Sequence, residues 1–313
     1  MKPQDSKAEA ITFGVELETI VPLNAHLEVG GYHRGQAVTH ACDSQGRSTQ
    51  APDFRGESWK AERDGSIGIM DGYHACEFVS PVLHGADGVE HLLEFLAWVR
   101  SLGARVNNTC GCHITVGVES IIGTRDPQAM SQFARKLAHL ARWHAKGLYG
   151  QTGTGRHLNH YSHTLDSSVG RLVRRMERSG NWAVKTEAAQ RCGRGMVNFR
   201  KLFSHGVIEF RVFAGTLNRH KLMHHLGTVL GLCRRAAEVR CLGGFFRNKA
   251  QSKRTADANA ALRYLWDFLG WTGSKRPVAL GLIGPLHEEF AHYRRTAERM
   301  CHRFDQRFPD ALV

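Results

Sequence analysis

The stretch ITFGVELETIV, residues 11–21, decides how the rest of this chain is interpreted. Successive side chains of a β-strand point to opposite faces, so the apolar residues from Phe13 to Leu17 share one face and Glu16 and Glu18 share the other. Glutamate is a poor strand former, so two glutamates on one face are unusual. The alternation predicts an antiparallel strand with an apolar face in a core and an acidic face open to solvent or to a ligand.

Three further segments repeat this pattern of ionisable residues within an apolar strand. They are ACEFVSP at 75–81, CHITVGV at 112–118 and VIEFRVF at 207–213. His113 shares a strand face with Thr115, and Glu209 shares one with Arg211. Together with Glu77, these residues predict one sheet face that gathers carboxylates, an imidazole and a guanidinium. Sequence rules are most often broken in this way at functional sites.

Helical spacing of apolar residues dominates the rest of the chain. It predicts helices over 85–102, 127–148, 219–242, 256–269 and 285–305, and a hairpin over 196–202 and 207–213. Four arginines at i, i+3, i+4 and i+7 predict another helix over 171–178, and the glycine-rich stretch 147–163 is predicted to be a polar loop. Few strands beside long amphipathic helices are typical of an α+β fold.

The composition describes an ordinary globular protein. Of its 313 residues, 42% are hydrophobic and 23% are charged. No run of 18 apolar residues predicts a membrane span, and the first ten residues, MKPQDSKAEA, lack the apolar centre of a signal peptide. Eight cysteines in a chain of this length are no disulfide framework. We therefore expect reduced thiols and a cytoplasmic protein.

The formal charge of +13 is concentrated in one region of the chain. Residues 171–211 hold ten Lys and Arg against three Asp and Glu. A positive field of this strength favours an anionic partner, such as a nucleotide, an acidic peptide, a nucleic acid or a phospholipid surface.

Carboxylates gathered on one sheet face repel each other unless a cation lies among them. Oxygen ligands with one imidazole suit Mg²⁺, with Mn²⁺ as the alternative. Arg211 lies on the same strand face as Glu209 and offers a fork of donors to a phosphate oxygen. These are the parts of a phosphoryl-transfer site, in which positioning and neutralisation of charge account for most of the catalysis.

Four motifs, in this order, resemble the amidoligase family of carboxylate–amine ligases, which are related to glutamine synthetase and glutamate–cysteine ligase. They are GVELE at 14–18, DGS at 64–66 with CEFVSPVL at 76–83, CGCHITV at 110–116 and VNFRKLFSHGVIEFRVFAGTL at 197–217. The resemblance implies a glutamine-synthetase-like curved antiparallel sheet with helices on one face and a helical C-terminal region. It also implies a catalytic core at residues 1–230 and a helical extension at 231–313 packed on the same domain.

The resemblance implies an enzyme that uses ATP and Mg²⁺ to form an amide or isopeptide bond through an acyl phosphate. It assigns Glu16, Glu18, Glu77 and Glu209 to metal, and His113 to metal or nucleotide phosphate. Arg211 would neutralise the transferring phosphoryl group, and Asp64 and Ser66 would face the substrate or its amine. The substrates would be a small amine and a small carboxylate, or an acidic peptide or protein.

Two positions depart from the family pattern. A second histidine often follows the first by two residues, and Thr115 stands there in this chain. An arginine–tyrosine pair usually precedes the asparagine matched by Asn198, and here Arg194 is near but offset. We assign Arg194 to the nucleotide-binding residues on this basis.

Other interpretations of the same residues remain open from sequence alone. The scaffold could serve a guanidino-type phosphotransferase, which stops at phosphoryl transfer. The basic region could belong to a nucleic-acid-binding protein without turnover, although no nucleic-acid motif is recognised. Cys110, Cys112 and His113 could ligate zinc, although no second CxxC is present. The oligomeric state is left undetermined.

Overall fold

The computed structural model describes residues 11–240, 257–271 and 284–311. Some predictions concern residues outside these ranges. They are the absence of a signal peptide at residues 1–10 and the helix ends at 241–242 and 256. The chain divides into two compact units. One combines Met1–Ile114 with Ala214–Met223, and the other combines Thr115–Phe213 with His224–Val313.

The first unit is built on a mainly antiparallel sheet. Its strands are β1 (Thr12–Pro22), β2 (Gln36–Ala37), β3 (His40–Cys42), β4 (Ser48–Gln50), β5 (Lys60–Glu62), β6 (Tyr73–Val79), β7 (Leu83–His84) and β8 (Gly111–Gly117), which starts in this unit. The main sheet has the order β2-β5-β6-β1-β8, with β7 also paired to β1, while β3 and β4 form a separate pair. The pairs β1–β6, β5–β6 and β2–β5 are antiparallel.

Aromatic packing covers the apolar face of this sheet with helix α1 (Gly85–Ser101). Trp59 lies just before β5 and stacks on Phe95 of α1, with 3.7 Å between ring centroids. Phe78 of β6 meets Phe95 and Trp98 edge-on. The alternation in β1 is as predicted, because Phe13, Val15 and Leu17 are all buried.

The second unit is mostly helical. Strands β9 (Val197–Asn198) and β10 (Val207–Ala214) pair antiparallel, as the predicted hairpin requires. The remaining helices are α2 (Val118–Ile122), α3 (Pro127–Trp143), α4 (Ala145–Gly150), α5 (Ser167–Arg178), α6 (Trp182–Gln190), α7 (Leu202–His205), α8 (Arg219–Glu238), whose first turn belongs to the first unit, α9 (Ala258–Leu269) and α10 (Gly284–Arg307).

Two predictions about the segment around residue 147 are wrong. The predicted helix over 127–148 is interrupted at His144, and α4 extends to Gly150 inside the stretch that was predicted to be a loop. The glycines there allow close packing of helices. A Cβ at position 147 would lie 2.9 Å from the carbonyl oxygen of Ala261, and one at position 150 would lie 2.7 Å from Cβ of Ala258. The first residues of this stretch are therefore helical and buried, because glycines without side chains allow α9 to pack closely against α4.

The α+β fold class and the other predicted strands and helices are confirmed within the described residues, with one exception: the first strand of the predicted hairpin, 196–202, is only Val197–Asn198, and Leu202 begins α7. The division at residue 230 stays a prediction. Seven of the eight cysteines lie in the described part of the chain, and all seven are reduced thiols, as expected. Among the described helices, none combines the length and the apolar character needed to cross a membrane.

Candidate functional site

Three glutamates form a row across neighbouring strands of the first unit. Glu77 of β6 is directly opposite Glu18 of β1 on one side and Glu62 of β5 on the other. All three are nearly inaccessible to solvent, with exposures of 3% for Glu18, 7% for Glu77 and 9% for Glu62. Adjacent strands are only about 4.8 Å apart, and like charges directly opposite each other destabilise a sheet. In a buried acidic row of this kind, bound protons or a cation must offset the negative charge.

The backbone around the row fixes its position. The N–H of Gly111, at the start of β8, donates to Oε2 of Glu18 over 2.5 Å. The Thr19 hydroxyl donates to the carbonyl oxygen of Cys76 over 3.0 Å, next to the Glu18–Glu77 pair. Glu18 is therefore held in one orientation by a neighbouring strand.

His113 of β8 lies against the row with both ring nitrogens. Its Nδ1 is 3.0 Å from Oε2 of Glu16 and 3.9 Å from Oε1 of Glu77, and its Nε2 is 3.2 Å from Oε1 of Glu18. The ring is buried, with 1% exposure, while the Glu16 side chain keeps 26%. One imidazole therefore joins three carboxylates that lie far apart in the sequence.

Two sets of side chains in this cluster could each hold a metal ion. The first is Glu16, Glu77 and His113, and the second is Glu18, Asp64 and Glu77. In each set one ligand atom per residue lies within 4.8 Å of the others. Asp64 reaches the cluster from the turn before β6, where its Oδ1 accepts a hydrogen bond from the Ser66 N–H over 2.7 Å. Glu77 belongs to both sets.

The surroundings of Glu77 raise its pKa from the usual 4.5 to about 10. Burial is the largest cause, followed by the negative charges of Glu16, Glu18, Asp64 and Glu62. At neutral pH and without a cation, this carboxyl group holds a proton. A divalent cation would favour the ionised form instead, because ligation requires the carboxylate.

The raised pKa of Glu77 predicts how the stability of the metal-free protein depends on pH. Between 4.5 and about 10, folded Glu77 keeps a proton that the unfolded chain has lost. The free energy of unfolding should therefore fall as the pH rises from about 5 to about 9. Urea unfolding in EDTA at several pH values would measure this slope, and Glu77→Gln should flatten it. An equal slope in that variant would contradict the assignment of the proton to Glu77.

The second unit contains a polar group on the β9–β10 pair. Glu209 is buried, accepts a hydrogen bond from Nδ2 of Asn198 over 2.7 Å and forms an ion pair with Arg211 at 2.9 Å. Arg194 is exposed. One of its guanidinium nitrogens is 2.7 Å from Nε2 of His160, and its guanidinium lies over the Tyr161 ring. The roles of Glu209, Arg211 and Arg194 stay predictions.

The structure brings together Glu16, Glu18, Glu77 and His113, as the strand patterns predicted. It adds Asp64, which had been assigned to the substrate, to a possible ligand set, and it leaves Ser66 exposed in the same turn. The predicted open face is wrong at this point of the sheet, because the Asp64 turn comes within 4.8 Å of Glu18 and Glu77 and the row is buried.

Sequence reasoning missed Glu62. A signal was available, because the apolar residues Trp59 and Ala61 alternate with Lys60 and Glu62, as in a strand with one apolar face. The strand has only three residues, which is too short for the alternation to be distinctive.

A comparison with protein families identifies the family of this chain. The sequence profile of a family described as "Putative amidoligase enzyme" matches residues 9–232, more than two thirds of the chain. The chain therefore belongs to this amidoligase family, and membership supports a ligase-type function. No curated protein gives a match. One solved structure, described as the "Crystal structure of novel glutamine synthase homolog", is similar over 98% of this chain and 71% of its own, with 12% identity and a TM-score of 0.38.

Proposed function

We propose that this protein is an ATP-dependent carboxylate–amine ligase that works with a divalent cation held by the acidic cluster of the first unit. The observation that carries the proposal is the buried row of Glu18, Glu77 and Glu62, with His113 and Asp64 beside it, in a chain of the amidoligase family.

The donor set fits a hard divalent cation. Carboxylate oxygens with one imidazole are ligands that Mg²⁺ accepts and Mn²⁺ accepts more readily. Glu16, Glu77 and His113 would hold one ion, and Glu18, Asp64 and Glu77 would hold a second. When bound, such an ion neutralises negative charge on nucleotide phosphates. Burial and, after it, repulsion by the neighbouring carboxylates raise the pKa of Glu77, and a cation would oppose both by favouring the ionised form.

The proposed reaction has two balanced steps. An oxygen of the substrate carboxylate attacks the γ-phosphorus of ATP, and ADP leaves. The nitrogen of the amine then attacks the activated carbonyl carbon, loses a proton, and phosphate leaves as the amide forms. We assign Arg211 to charge neutralisation at the phosphoryl group, since a guanidinium offers paired donors to phosphate oxygens. Ser66, in the same turn as the possible metal ligand Asp64, is assigned to the substrate or its amine.

Release of ADP in the presence of Mg²⁺ and of panels of free amines and carboxylic acids tests this proposal. Activity is expected only when both substrates are present, and mass spectrometry should find an amide. A Glu16→Ala/Glu209→Ala variant should lose activity, whereas Glu28→Ala/Glu90→Ala, which removes two exposed carboxylates, should keep it. Unchanged turnover in the first variant would overturn the assignment of these residues. A stable phosphorylated product would favour the phosphotransferase.

A further inference from the structure

Helix α5 in the second unit has two opposite faces of different chemistry. Val173 and Met176 are completely buried and hold the helix against its neighbours. The opposite face carries four exposed arginines, which we call the basic face: Arg171, Arg174, Arg175 and Arg178. At about 3.6 residues per turn they fall within an arc of roughly 100°. They extend over about 10 Å of the helix axis.

The described residues neutralise little of this charge. Arg175 lies 3.3 Å from Glu187, and Arg191 contacts the same glutamate at 2.8 Å, so two guanidiniums share one carboxylate. Within the part of the chain that the structure describes, the other three arginines of the basic face form no ion pair. The positive charge is therefore available to a partner.

The neighbouring helix α3 adds positive charge and forms an ion pair with the one acidic residue of α5. Glu177 is the only acidic residue of α5, and it forms an ion pair with Arg135 of α3 at 2.9 Å. The pKa of His139 is lowered mainly by burial, and the charges of Arg135, Arg174 and Arg142 lower it further. Arg142 of α3 is exposed and, like Arg174 of the basic face, lies close enough to His139 to affect its pKa.

A face of this composition costs helix stability. Arginines three and four residues apart are neighbours on a helix, and each like-charged pair at that spacing is destabilising. An ordinary solvated face mixes the two signs of charge, so that such pairs attract each other. An anionic partner would remove the repulsion, which gives the basic face a physical reason to bind one.

We propose that the basic face binds an acidic segment of a polypeptide, with carboxylates at i, i+3, i+4 and i+7 along a helix. Carboxylates at these positions are spaced along their helix axis as the arginines are along α5, with about 4.5 Å for three residues and about 6 Å for four. Each guanidinium can therefore form paired hydrogen bonds with a carboxylate. Base stacking on aromatic side chains supports the binding of single-stranded nucleic acids. The described face of α5 has no aromatic residue, which favours a polypeptide. This binding does not depend on the ligase activity.

Fluorescence anisotropy of a labelled peptide tests the proposal with the full-length protein. The probe has about 20 residues, enough to form a helix, with glutamates at the proposed spacing. A peptide of the same composition in scrambled order is the comparison. We expect tighter binding of the ordered peptide, weakening as salt rises from about 50 to 200 mM. Arg171→Glu/Arg174→Glu/Arg178→Glu should weaken it by on the order of tenfold or more.

The matched control is Arg295→Glu/Arg299→Glu/Arg303→Glu, which makes the same change in charge on the exposed face of α10. It should change the affinity by less than about twofold. The α5 variant should fold, because a glutamate at position 171 lies one turn before Arg175 and replaces repulsion by attraction. Circular dichroism checks this. Equal weakening by both variants would overturn the proposal. So would equal binding of the two peptides, or tighter binding of a single-stranded oligonucleotide.

Discussion

Replacing Glu77 by glutamine is expected to reduce cation-dependent activity on the order of 10²-fold or more, while raising the thermal stability of the metal-free protein at pH 8. Glu77 is the residue common to both possible ligand sets, so its loss affects both. Glutamine keeps the shape of the side chain and needs no proton to be neutral. The variant therefore avoids the free-energy cost of holding a proton on a carboxyl group whose pKa is raised to about 10.

Differential scanning calorimetry with and without Mn²⁺ measures both effects. A cation that binds only the folded state raises the melting temperature of the natural protein. The Glu77→Gln variant should melt higher without metal and respond weakly to Mn²⁺. Glu90→Gln, which changes an exposed carboxylate of α1, is the control and should behave as the natural protein does. A full Mn²⁺ response in the Glu77→Gln variant would show that the acidic row is not the metal site.

The sequence predicted most of this site because strand alternation is a local property. The alternation in residues 11–21 fixes which face holds Glu16 and Glu18, and any sheet that buries Phe13 must place them opposite. The apolar residues on either side of His113, Cys112 and Ile114, likewise fix which face of their strand holds the imidazole. What such patterns do not contain is the register between strands. That Glu77 is opposite both Glu18 and Glu62 follows from pairings across distant segments.

The burial of these glutamates was predicted less well than the strand face on which they lie, for a related reason. A glutamate on the polar face of an antiparallel strand is ordinarily exposed. Here, the Asp64 turn approaches Glu18 and Glu77, and the Gly111 N–H bonds to Glu18. Neither contact has a periodic signature. The loop predicted after residue 147 was wrong because the glycines there have a different role. They were interpreted as a sign of a loop, but they allow α4 to pack closely against α9.

The largest effect on stability is expected from Trp59→Ala, at about 3–5 kcal/mol of the free energy of unfolding. The Trp59 ring is completely buried and parallel to Phe95 at 3.7 Å, so alanine leaves a large cavity under the sheet. The same change removes the donor that Nε1 of Trp59 supplies to Nε2 of His91 over 2.9 Å, leaving a buried acceptor unsatisfied. Urea unfolding followed by circular dichroism measures the loss.

Two variants separate the causes of this loss. Trp59→Phe keeps an aromatic ring against Phe95 but removes the indole N–H, so it should cost less than alanine while still affecting His91. Trp182→Ala removes a tryptophan that is 52% exposed and should cost less than about 1 kcal/mol. Trp59 directly precedes β5, whose Glu62 is opposite the possible ligand Glu77, so the loss of Trp59 should also disturb the position of Glu77 and weaken Mn²⁺ binding. If Trp59→Ala were no more costly than Trp182→Ala, the aromatic layer would not be what holds this sheet, and the acidic row, in place.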